Sequence, residues 1–163
     1  MAFSDEFAPE DWARVVGAPM LAGMAVTAAD PGGLWSAVKE SAAAAGALRG
    51  AGDQSGHNAL IAEIVAAYGT GEGRDMARDV LKEQVRGRKP AEVVEAALAE
   101  LGAVAALVTS KAPEAAPGFK AWLAEIARKV AEAGSEGGFL GFGGVKVSEA
   151  EKATLARLET ALA

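Results

Sequence analysis

"PAEVVEAALAELGAVAALV", residues 90–108, decides how this chain folds. Pro90 suits a first helical position, where its missing N–H costs nothing. Val94, Leu98, Leu101, Ala105 and Val108 follow at steps of four and three, and Val93, Ala97, Val104 and Leu107 widen the stripe. That spacing is the period of a helix, and so broad an apolar face predicts a central one, packed on more than one side.

Working outward, the same period recurs. Upstream, Met76, Val80, Leu81 and Val85 predict a helix over 72–86, with ion pairs Asp75–Arg78, Asp79–Lys82 and Glu83–Arg86 on a solvated outer face. Leu60, Ile61, Ile64, Val65 and Tyr68 predict one over 57–68, after the loop "RGAGDQSG". Asp30 and Pro31 read as the cap and first residue of a helix carrying Leu34, Trp35 and Val38. Near Pro9 another helix begins, with Phe7, Trp12, Val15 and Val16 on its apolar side, and Pro19 kinks or restarts it before Met20, Leu21, Met24, Ala25 and Ala28 carry it to Asp30. Downstream, "TSKAPEAAPG" is a connection, and Phe119, Trp122, Leu123, Ile126 and Val130 define a helix ending near Gly134. Ser148 and Glu151 form a capping box that opens the last helix, whose buried edge is Leu155, Leu158 and Leu162. No segment alternates with period two over a useful length; Val145–Val147 is too short for a sheet. The expectation is an all-α fold: a single domain over 1–163, a bundle of about six or seven helices with a glycine-rich loop before the last.

Composition narrows the function classes. The chain has 163 residues, 51% hydrophobic and 23% charged, which is a globular composition large enough for a core. A net charge of -6 repels phosphate backbones, so no nucleic-acid partner is expected. The basic group Arg86, Arg88 and Lys89 reads as a helix C-terminus complementing its dipole. Without cysteine there are no disulfides, thiolate metal sites or cysteine nucleophiles. The N-terminal "MAFSDEFAPEDW" is too acidic for a signal peptide. The apolar stretch Val15–Ala29, interrupted by Gly17, Pro19 and Gly23, falls short of the roughly 20 residues of a membrane span. A cytoplasmic protein with no membrane span is expected.

Three junctions share an acid beside glycine: "AADPGG" at 28–33, "GTGEGR" at 69–74 and "GSEGGF" at 134–139. One reading is structural: glycine ends a helix in the left-handed conformation, and the acid sits at the positive end of the next. The other is that Asp30 and Glu136 approach one another and hold a divalent cation such as calcium, which takes six to eight oxygens, some of them backbone carbonyls exposed by glycine turns.

The stretch "VAEAGSEGGF", followed by "SEAEKATLARLETAL" after the insertion "LGFGGVKV", and the fainter copy "GMAVTAADPGGLWSAV" resemble the tellurite-resistance TerB-like helical family. The resemblance implies an all-helical fold, a stress-related role and divalent metal binding at paired acid–glycine turns, carried here by Asp30 and Glu136 alone. The sequence departs from the family pattern in three ways: Pro31 stands where glycine is expected, Glu136 replaces Asp, and the glycine-phenylalanine insertion has no counterpart. The tail containing SEGGFLGFGG is also similar to small uncharacterised bacterial helical proteins, a likeness that implies no function.

Within that tail, Phe139, Leu140 and Phe142 either fold into the core or form an aromatic interaction loop. The spacing of Gly137, Gly138, Gly141, Gly143 and Gly144 matches no nucleotide-binding motif. His57 is the only histidine; a catalytic base would need a nucleophile and an orienting acid, for which Ser55 and Glu63 are the sequence neighbours. No Glu-x-x-His pair suggests a di-iron site. The leading expectation is a non-catalytic helical protein acting through protein–protein contact or self-association at Phe139, Leu140 and Phe142. The alternative is a divalent-cation-binding module at Asp30 and Glu136, and a third reading is a small hydrolase or transferase around His57.

Overall fold

A computed structural model describes residues 2–29, 58–136 and 149–163, the side chains of residues 133–136 excepted. Among the described residues there are six α-helices and no strand: α1 Pro9–Ala29, α2 Ala59–Tyr68, α3 Gly71–Val85, α4 Pro90–Lys111, α5 Ala116–Glu136 and α6 Glu149–Leu162, preceded by a 3-10 turn at Phe3–Asp5. The all-α expectation is met.

The central position expected of residues 90–108 holds. In α4, Val93, Val94, Ala97, Leu98, Leu101, Val104, Ala105 and Val108 are all buried. They share one apolar core with Val15, Leu21, Ala25 and Val26 of α1, Leu60 and Ile64 of α2, Phe119, Leu123, Ile126 and Val130 of α5, and Leu158 and Leu162 of α6.

Polar contacts tie the helices to one another. Arg14 of α1 grips Glu100 of α4 with two bonds, Nε to Oε1 at 2.6 Å and Nη2 to Oε2 at 3.3 Å. The short turn 112–115, closed by the Ala115 and Ala116 N–H groups donating to the Ala112 carbonyl, joins α4 to α5. At its start, Asn58 caps α2 by accepting from the Leu60 and Ile61 N–H groups and donates from Nδ2 to the Ala115 carbonyl at 3.1 Å. Glu63 of α2 accepts from the Phe3 and Ser4 N–H groups at 2.9 and 3.0 Å. Thus α2 ties the beginning of the chain to the beginning of α5. Further along, α1 and α5 touch where a Cβ placed on Gly23 would lie 3.3 Å from Val130 Cγ2. Arg157 reaches Glu95 at 2.7 Å and Arg128 reaches Glu159 at 3.6 Å, which sets α6 alongside α4 and against α5.

Several local readings change. Pro19 neither stops nor restarts α1, which is continuous through it. The Tyr68 hydroxyl donates to the Val16 carbonyl, beside the turn where Pro19 supplies no N–H. Burial pushes the Tyr68 phenol well above its ordinary range, and the nearby Met20 N–H offsets part of that rise. Because the native state keeps a proton that the unfolded chain releases above about pH 10, this group's contribution is intact below that pH and is lost as pH rises past it. Tyr68 is the only tyrosine. Its ultraviolet titration is therefore expected to appear only with unfolding, and Tyr68→Phe should flatten the fall in stability above pH 10. A titration midpoint near pH 10 in the folded protein would overturn this.

In α3 the deeply buried residues are Gly73 and Ala77, whereas Val85, expected to point inward, is exposed. Small residues on the inner face let α3 approach closely: a Cβ on Gly17 of α1 would lie 2.8 Å from Val80. Asp75–Arg78 and Glu83–Arg86 pair as expected, but no ion pair joins Asp79 to Lys82. Arg88 does cap α3, donating to the Glu83 and Gln84 carbonyls at 2.9 and 3.0 Å. Among the described residues the glycine in the left-handed conformation is Gly87 (φ 68°), between α3 and α4, and not Gly69, whose φ is -73°.

The expectation of no membrane span is corrected. Both α1 and α4 are long and apolar enough to cross a bilayer, with mean hydropathies of 1.2 and 1.7 over their most apolar 18 residues. Counting α1 only from Val15, and treating its Gly and Pro as interruptions, hid a continuous rod of 21 residues. In the fold these windows are 56% and 44% buried against neighbouring helices, and core helices of a bundle satisfy the same two conditions. The expected partner list, a protein or a second copy with no nucleic acid and no membrane span, fails on that last term.

Candidate functional site

The two acid–glycine turns singled out in the sequence are joined to helices that the structure places side by side. Ala29, the last residue of α1, immediately precedes Asp30, and Glu136 is the last residue of α5. α1 and α5 pack against each other in the core. Their meeting point at Gly23 and Val130 lies about two turns before each terminus, the six residues after it spanning roughly 9 Å in each helix.

Local chemistry sets this packing. Gly23 has no side chain to hold α1 away from Val130. One turn later, Thr27 folds its hydroxyl back onto the Gly23 carbonyl at 3.0 Å, satisfying a polar group on an otherwise apolar helix. Beyond it, the final carbonyls of an α-helix lack intrahelical donors and carry the negative end of its dipole.

Asp30 lies outside the described residues, and Glu136 is described through its backbone only. Phe139, Leu140 and Phe142 of the expected interaction loop lie outside them as well, as do His57 and Ser55. Among the described residues no group of three or more His, Asp or Glu side chains could hold a metal ion. A cation held by Asp30 and Glu136 would draw on two carboxylates together with backbone carbonyls and water. That all-oxygen donor set suits a hard cation such as calcium.

No family model, curated protein or solved structure matches the chain.

Sequence reading found the acids but missed the parts that align their helices. Glu63 was weighed as an acid serving His57; both of its oxygens are engaged by backbone N–H groups near the start of the chain. The Arg14–Glu100 clamp joins residues 86 apart, and nothing local marks either partner. The Glu100 carboxylate raises the Arg14 pKa, mainly through their hydrogen bond. Asn58 could have been recognised as a cap, since Asn before an apolar-periodic run is a helix-start signal.

Proposed function

We propose that this protein is a non-catalytic helical module that binds a divalent cation where α1 and α5 end, with Asp30 and Glu136 as its side-chain ligands. The observation that supports the reading is the contact of α1 with α5 at Gly23 and Val130, each six residues before the end of a helix that leads into an acid–glycine turn. Turns at opposite ends could not share an ion. The resemblance of the same two turns to those of TerB-like proteins supports the choice of ligand.

Binding to the native state alone must stabilise it, by about 2.7 kcal/mol at a free concentration one hundred times Kd. For a chain of this size that corresponds to a rise in melting temperature of roughly 5–10 °C. Calcium, magnesium and manganese should be titrated by calorimetry and melting. The expected result is a saturable heat and a raised melting temperature for at least one of them, both lost in Asp30→Asn and Glu136→Gln. Absence of heat together with an unchanged melting temperature at millimolar metal would sink the proposal.

A further inference from the structure

Three residues that weaken a helix stand four apart on one side of α1: Pro19, Gly23 and Thr27. Pro19 has no N–H to offer the Val15 carbonyl. Gly23 is a poor helix former. The Thr27 hydroxyl bonds back to the Gly23 carbonyl at 3.0 Å, a contact that tends to bend helices. Yet α1 is continuous from Pro9 to Ala29. Its integrity at Pro19 depends on a group from another helix.

That group is the Tyr68 hydroxyl. It donates to the Val16 carbonyl, and the Met20 N–H is placed to bond its oxygen. Met20 and Val16 are four residues apart, so in a plain helix their N–H and C=O form one rung of the ladder. The phenol stands between the two members of that rung, next to the rung that Pro19 removes. A proline and a side chain inserted into the ladder are both recognised causes of a kink, and here they share one turn. The phenol itself is firmly mounted. Asn58 and Glu63 tie α2 to Ala115 and to the start of the chain. Arg74 holds the Tyr68 carbonyl at 3.0 Å.

We propose that α1 is hinged at Pro19 and that the Tyr68 hydroxyl is the latch that keeps the hinge shut. Ala29 lies ten residues past Pro19, about 15 Å along the axis, so a swing of about 20° carries it roughly 5 Å. The latch thus governs where the C-terminal half of α1 points. The inference does not rest on the cation reading, and its test needs no metal.

The test is amide hydrogen exchange of the full chain, followed residue by residue by nuclear magnetic resonance. Amides 20–23 bond to carbonyls 16–19 across the hinge, whereas the amides of Leu101 and Ile126 report the opening of the whole core. In the unaltered chain, low urea should speed exchange at Leu101 and Ile126 more steeply than at 20–23, because hinge opening exposes less surface. Tyr68→Phe keeps the ring and removes only the hydroxyl. It should speed exchange at 20–23 about tenfold, the worth of one hydrogen bond. Adding Pro19→Ala, which returns the missing donor, should slow those amides at least about threefold. Ala99→Gly, at an exposed position of α4, is the control. It should speed Leu101 and Ile126 about fivefold and residues 20–23 less than about twofold. The proposal is overturned by any of three results: the same urea slope at 20–23 as at Leu101, no acceleration at 20–23 in Tyr68→Phe, or Ala99→Gly speeding 20–23 as much as Leu101.

Discussion

Replacing Phe119 with alanine is expected to lower the unfolding free energy by about 3–5 kcal/mol, the range for deleting a fully buried aromatic ring. Phe119 is 0% accessible and lies 6.4 Å, centroid to centroid, from Trp122. The site is poorly able to collapse around the loss. Its backbone N–H is bonded to the Ala115 carbonyl, and the neighbouring Gly118 is so close to Asn58 that a Cβ there would lie 2.6 Å from its amide nitrogen. Asn58 in turn caps α2 and holds Ala115, so the wall of the cavity is a hydrogen-bonded corner and not a loose side chain. Urea denaturation should show a lower midpoint with an unchanged slope. A loss below 1 kcal/mol would mean that this corner is not part of the cooperative core.

The second large effect is expected at Gly73, through crowding. In a solvent-exposed helix interior, Gly→Ala stabilises by about 1 kcal/mol. At Gly73 the added Cβ would lie 2.0 Å from the Ala67 carbonyl oxygen and 2.6 Å from its carbon, both backbone atoms. They cannot rotate aside as a side chain would. The corner between α2 and α3 is also fastened by the Thr70 hydroxyl, which accepts from the Gly73 N–H at 3.0 Å, and by Arg74, which donates to the Tyr68 carbonyl at 3.0 Å. Gly73→Ala should therefore destabilise by about 3 kcal/mol, at the upper edge of ordinary overpacking. Gly71 is the matched control: it begins the same helix and has no atom within 4 Å of an added Cβ. Gly71→Ala is expected to be neutral or slightly stabilising. Equal melting temperatures for the two variants would refute the argument.

The fold was legible where burial is written as a period. Val94, Leu98, Leu101, Ala105 and Val108 in α4, and Phe119, Trp122, Leu123, Ile126 and Val130 in α5, are buried as their spacing predicts. It was less legible in α3, where the same reasoning sent Val85 inward. There Gly73 and Ala77 face the core, and a hydrophobicity pattern gives small residues little weight even when they set how closely two helices approach. Pro19 and the glycines of α1 misled in a related way. A proline weakens a helix in isolation, but here Tyr68, 52 residues from the Val16 carbonyl to which it donates, supplies a hydroxyl beside the damaged turn. Of the candidate site, the sequence marks the acids; it does not reveal that α1 and α5 pack against each other. That depends on contacts such as Gly23 with Val130, far apart in sequence.

The burial of α1 by later segments has a consequence during synthesis. Its principal neighbours are α3, α4 and α5, and α4 is complete only at Lys111, 82 residues after Ala29. At ordinary translation rates the ribosome needs roughly 4–16 s to make that length. Throughout that interval, a 21-residue rod with the hydropathy of a bilayer-crossing segment has nothing in its own chain to cover it fully. The nascent polypeptide therefore presents chaperones and targeting factors with a surface that the finished bundle hides.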